Sequence, residues 1–119
     1  MNLYLQALAR SMRGTDEASY AWMITKDHLD DEPGGSFSVS GPSDAPDDLL
    51  AALAKGRGHT FRLYDDDGEL YYTGRGTWRG DAAGEAPDED ACYGPLGDYG
   101  AASGCVLVRW HGHSEWDCG

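Results

Sequence analysis

Apolar and polar residues alternate with period two in several short stretches, and these read as strands. In "SYAWMIT", Ser19–Thr25, the side chains of Tyr20, Trp22 and Ile24 fall on one face. A hairpin is predicted from Phe61–Tyr64 and Glu69–Arg75, with Phe61 and Leu63 facing the same way as Leu70 and Tyr72. "CVLVRW", Cys105–Trp110, places Val106, Val108 and Trp110 on one side and Leu107 and Arg109 on the other. "SFSVS", Ser36–Ser40, alternates over a shorter run and suits an edge strand. Helical periodicity is clearest in "SDAPDDLLAALAKG". Ser43 or Asp44 is the expected N-cap, and Pro46, Asp47 and Asp48 suit the first turn. Lys55 and Gly56 close the helix, and Leu49, Leu50 and Leu53 form its apolar stripe.

Two regions are less regular. Residues 2–12 carry Leu5, Leu8 and Met12 at helical spacing, yet also suit a first strand. Residues 80–104 show neither period and are rich in Gly, Ala, Pro and Asp, which predicts a long irregular loop. "DHLDDEPGG", Asp27–Gly35, is a shorter loop by its acids, Pro33 and paired glycines. The elements sum to one α+β domain over residues 1–119: an antiparallel sheet of about four strands with one covering helix.

Charge narrows the function classes. The chain of 119 residues has a net charge of −12, with nine acids and five bases in residues 1–60 and twelve acids and four bases in residues 61–119. Such a field opposes direct binding to nucleic acid and to anionic membranes, and favours a basic partner. No apolar run reaches membrane-spanning length. The N-terminal apolar stretch precedes Arg10 and Arg13 instead of following a basic segment, so no secretory signal is read and the cytoplasm is the expected compartment. Three cysteines, Cys92, Cys105 and Cys118, are too few and odd in number for a disulfide scaffold.

Three constellations hold residue types that can carry chemistry. "DDDG", Asp65–Gly68, has consecutive acids where an EF-hand loop needs alternate ones, so a turn with Asp67 or Gly68 at positive φ explains it better. Cys92, His111, His113 and Cys118 form the candidate zinc set. Cys105 is excluded from it, because six strand steps of ~3.3 Å would put that residue roughly 20 Å from His111. A cysteine nucleophile, Cys92 or Cys105 with a histidine, is the remaining enzymatic reading. No protease-like signature or phosphate-cradling glycine loop supports it, and no cofactor is implied.

The strongest chemical signal is the acidic surface. Asp65, Asp66, Asp67 and Glu69 project from the hairpin, and Asp81, Glu85, Asp88, Glu89, Asp90 and Asp98 have no basic residue among them between 80 and 108. Acids two apart on extended chain lie ~6.6 Å apart, close to the ~7 Å phosphate spacing along one nucleic-acid strand. These residues, with Trp78, Tyr93 and Tyr99 as anchors, are the expected partner-binding set.

"YAWMITKDHL" (Tyr20–Leu29), "FRLYDDDGELYYTGR" (Phe61–Arg75) and "YGPLGDYGAASGCVLVRW" (Tyr93–Trp110) together resemble a group of small actinobacterial proteins, often carried on phages and plasmids, that has no assigned activity. Gly97 departs from that group's pattern, which has an acidic residue there. The resemblance implies a mobile-element accessory protein. By analogy with inhibitors of restriction and CRISPR systems, the expected function is a non-enzymatic acidic inhibitor or DNA mimic acting on a basic, nucleic-acid-binding host defence factor.

Overall fold

In the computed structural model, residues 18–29 and 39–119 are described. Among them the chain forms β1 (Tyr20–Asp27), β2 (Val39–Gly41), α1 (Asp47–Ala54), β3 (His59–Tyr64), β4 (Leu70–Trp78), α2 (Glu89–Pro95) and β5 (Leu107–Trp110). The five strands make one antiparallel sheet in the order β2-β1-β4-β3-β5. The α+β class holds, with five strands and two helices in place of about four and one. The predicted element at 2–12 and most of the loop at 27–35 lie outside the described residues, as do Ser36, Phe37 and Ser38 of the predicted edge strand.

The alternation read in β1 is the reason both sheet faces are covered. Trp22 and Ile24 are buried on one face with Phe61, Leu63, Tyr72, Trp78, Val108 and Trp110, and this cluster packs under Ala91, Leu96 and Cys105. Ala21 and Met23 point the other way, against Leu49, Leu53 and Leu50 of α1. The apolar stripe of α1 therefore does what its spacing predicted, but on the smaller of the two cores. Its N-terminus differs: Pro46 is the boundary residue and no side chain caps it. Its C-terminal end is held from β4, where the Arg75 guanidinium donates to the Leu53 carbonyl in the last turn (2.6 Å) and to the Arg57 carbonyl in the loop that follows (3.2 Å).

The second helix lies in the stretch expected to be irregular. Asp88 caps it, its Oδ1 accepting the Ala91 N–H at 2.9 Å. Pro95 and Gly94 conceal the helix from propensity reasoning, since both are poor helix formers. Gly94 is there for close approach, because a Cβ on it would lie 2.3 Å from the Tyr20 ring. Further short helical turns over Leu96–Gly100 and Ala101–Ser103 carry the chain back to β5.

The hairpin turn is as predicted at Gly68, which has φ +79°. The alternation on its return strand breaks, however. The register shifts between Leu63 and Tyr64, so Leu63 pairs with Tyr72 but Tyr64 pairs with Leu70. Leu70 thus follows Tyr64, not Phe61 and Leu63. In β5, Val108 and Trp110 are buried as expected, while Val106 precedes the strand and is exposed. Among the described residues no helix is long and apolar enough to cross a membrane.

Candidate functional site

Two indoles of the core anchor the α2 region from beneath. Trp110 Nε1 donates to the Cys92 carbonyl at 3.1 Å, and Trp78 Nε1 donates to the Glu85 carbonyl at 2.8 Å. Ala91, Cys92, Pro95 and Leu96 turn inward. Asp88, Glu89, Asp90 and Tyr93 are left exposed, Tyr93 at 49%. One turn further on, Asp98 is exposed yet fixed. Its Oδ2 accepts from the Tyr20 hydroxyl at 2.7 Å and from Trp22 Nε1 at 3.0 Å. Both donors come from β1, where the alternation puts them on the α2 side. Asp98 Oδ1 has no donor among the described residues, and the carboxylate lines a shallow cleft with Trp22 and the Ser40–Ser43 turn.

The acids act on two neighbouring groups. The Tyr20 hydroxyl is pushed well above the usual phenol range, first by burial, then by its bond to Asp98 and the charges of Asp98, Asp90 and Asp88. Burial raises the Cys92 thiol to about 11, with Cys118, Asp88, Glu115 and Glu89 adding to it. Asp88, Glu89 and Asp90 open α2 and Asp98 follows it one turn later; Glu115, which acts on Cys92, was not among the predicted contact residues.

The remaining predicted contact residues divide into separate places. Asp66, Asp67 and Glu69 are exposed at the hairpin tip. Trp78, held to Glu85, is at the other end of β4 from Leu70, so eight steps of ~3.3 Å, roughly 26 Å, separate the tip from the start of the α2 region. Asp81 is engaged internally, its Oδ1 2.8 Å from His59 Nε2 and its Oδ2 accepting the Thr77 hydroxyl at 2.6 Å. Trp78 is 4% exposed and serves the core. Tyr99 is half-buried, with ring centroids 5.6 Å from Trp22 and 5.2 Å from Tyr72.

Asp65 is buried in its own turn. Its Oδ1 accepts the N–H groups of Asp67 (2.9 Å) and Glu69 (2.8 Å). Asp65, Asp66 and Asp67 bring carboxylate oxygens within 4.8 Å of one another, but the two amide bonds already account for Asp65. The Glu69 N–H foremost, then the Asp67 N–H and the Tyr71 hydroxyl, hold the Asp65 carboxyl below its ordinary value. A depressed folded-state pKa stabilises the fold above the unfolded value of about 3.9, and that stabilisation is lost as pH falls through the lower folded value. Asp65→Ala is therefore expected to lower the melting temperature by several degrees at pH 7, with the deficit shrinking in melts below pH 3. A deficit independent of pH would show that the carboxylate is not the stabilising group.

Among the described residues the only set of three or more His, Cys, Asp and Glu side chains close enough to share an ion is those three aspartates, so Cys92, His111, His113 and Cys118 do not assemble a zinc set. Each is drawn elsewhere. His113 stacks on Trp116 at 3.6 Å and its Nδ1 meets Glu115 at 3.0 Å. The Cys118 thiol donates to the Trp116 carbonyl at 3.3 Å, Cys92 is buried, and His111 is exposed beyond the end of β5. Burial raises the Cys105 thiol to about 11 as well, so at neutral pH neither Cys92 nor Cys105 supplies a thiolate.

No family model, curated protein or solved structure matches the chain. The functional reading therefore rests on the geometry around α2.

Proposed function

We infer that the protein is a non-catalytic interaction module that engages a basic protein through the acidic surface around α2. The observation that carries this reading is Asp98: an exposed carboxylate held by two side-chain donors, in a cleft beside the exposed Asp88, Glu89, Asp90 and Tyr93. A carboxylate already fixed in place loses little freedom when it pairs with an arginine or lysine, and such charge-assisted bonds are strong. The flanking acids steer a basic surface toward it, and the exposed Tyr93, on α2 with Glu89 and Asp90, offers a ring. By analogy with acidic inhibitors carried on mobile elements, the proposed partner is a nucleic-acid-binding host defence factor, bound in place of its nucleic acid. The hairpin tip is a separate acidic projection under this reading.

Capture from host lysate by the immobilised protein tests the proposal. A basic partner is expected at low salt, displaced by added DNA and by high salt. Asp98→Asn keeps an acceptor for Tyr20 and Trp22 but removes the charge, and should weaken capture about tenfold or more. Asp88→Asn/Glu89→Gln/Asp90→Asn should slow association and reduce the salt dependence. Failure to recover any basic partner at low salt, or capture that both variants leave unchanged, would sink the reading.

A further inference from the structure

The sheet face that carries α1 is only partly covered by it. Beyond the helix, cross-strand pairing aligns Lys26 with Thr73, Thr73 with Arg62, and Arg62 with Arg109. Paired residues point to the same side of a sheet, so three cations share one row across four strands, spanning about 14 Å at the usual strand spacing. Arg62 and Arg109 stand directly opposite each other, an arrangement that like charges disfavour. The chain has 21 acids, yet the ion pairs among the described residues involve His59, Arg79 and His113, and neither Arg62 nor Arg109 has a carboxylate partner there.

The row is also organised. The Arg109 guanidinium lies 5.6 Å over the Tyr64 ring, which fixes its position beside Arg62. His28 Nε2 sits 2.7 Å from the Thr73 hydroxyl, and its pKa is lowered first by burial and then by Lys26 and Arg62 in turn, against the opposing charge of Asp27. Arg62, Tyr64 and Arg109 open into a cleft of about 420 Å³ whose far wall includes His111. The one carboxylate lining it, Asp117, has its Oδ1 committed to the Trp110 N–H at 2.8 Å.

We propose that this row and cleft bind a small anion bearing two or more adjacent phosphate groups, with Arg62 and Arg109 as its bidentate ligands and Lys26 at the end of the row. Arg62 and Arg109 are directly paired, with Cα atoms about 5 Å apart at the usual antiparallel spacing, so their two forks can reach neighbouring phosphates, whose several oxygens accept paired N–H bonds. The cleft has the size of a small-molecule site. A long polyanion is disfavoured because it would extend past the row into the field of a protein of net charge −12. The inference stands apart from the acidic surface around α2, which lies on the opposite face of the sheet.

Calorimetry and thermal melts of the full chain at pH 7 and low salt test it, with pyrophosphate, ATP, adenosine, a twelve-nucleotide single-stranded DNA and a poly-glutamate peptide as probes. Saturable binding of pyrophosphate and ATP with a raised melting temperature is expected, and none with adenosine. Tighter binding of ATP than of pyrophosphate would make the source a nucleotide, and equal binding an inorganic phosphate. Arg62→Gln/Arg109→Gln should weaken both at least tenfold. Its own melting temperature should not fall, because two opposed charges are removed. Lys55→Gln, just past the end of α1, should bind as the native protein does. The proposal is overturned if neither phosphate ligand binds, if binding survives Arg62→Gln/Arg109→Gln, or if DNA or the acidic peptide saturates the row while pyrophosphate and ATP do not.

Discussion

Trp110→Ala is expected to cost about 3–5 kcal/mol, the range for removing a buried tryptophan, and so most or all of the stability of a domain this small. Trp110 is 3% exposed and joins three parts of the larger core. Its ring meets Phe61 at 5.3 Å, Trp78 at 6.1 Å and Trp116 at 6.1 Å between centroids. Its indole N–H holds the Cys92 carbonyl in α2, so truncation would leave that acceptor without its donor as well as a cavity. Trp110→Phe should recover part of the packing but not the hydrogen bond, and should fall between the two in urea denaturation. If the alanine variant unfolds at the native midpoint, the core is not organised around this residue.

Gly74→Ala should be nearly as damaging although it adds a single methyl group. Gly74 lies in β4 between β1 and β3, paired with Ile24 on one side and Phe61 on the other. A Cβ there would fall 2.3 Å from the Met23 carbonyl oxygen and 2.6 Å from Phe61 Cζ. The Phe61 ring can shift, but the Met23 carbonyl belongs to the β1 backbone, so the two strands must part. The expected loss is about 3 kcal/mol, at the upper end for overpacking. Gly56→Ala is the contrast: it has φ +88° but nothing within 4 Å of the new Cβ, so only the backbone strain of about 1 kcal/mol applies. Because the limiting contact is backbone, adding Phe61→Leu should not rescue Gly74→Ala; melting curves of the double variant showing recovery would place the clash on the ring instead.

Both substitutions concern positions whose importance was only partly visible in the chain. Trp110 could be assigned to the buried side of a strand from its spacing with Val108. Gly74 falls inside the predicted return strand Glu69–Arg75, and β4 continues past it to Trp78. The glycine reflects crowding by two neighbouring strands that are distant in sequence. The same holds for α2. Gly94 and Pro95 made the segment look irregular, while Gly94 is there because the Tyr20 ring packs where its side chain would otherwise stand.

The candidate sites follow the same division. The acids were legible by composition, and exposure leaves Asp66, Asp67, Glu69, Glu85, Asp88, Glu89 and Asp90 at the surface. Nothing local in the chain marks Asp98 as an exposed acid held by two distant side-chain donors, or separates the exposed acids from Asp65 and Asp81, which are engaged within the protein. Asp65 is the nearest to an exception, since its donors lie within four residues and an aspartate-led turn is a known use of that spacing. Asp98 takes its donors from Tyr20 and Trp22, 78 and 76 residues away.

The sequence by itself determined the α+β class, the hairpin with its turn at Gly68, the faces of β1 and β5, and the excess of acid over base. These depend on side-chain period, turn chemistry and composition, which act between near neighbours or on the whole chain at once. Only the tertiary structure decided which acids are free to meet a partner. It also decided that Lys26, Arg62 and Arg109 form one row in a protein otherwise dominated by carboxylates. Strand register makes neighbours of residues far apart in the chain, and a shift of one residue would turn each of those side chains to the other face.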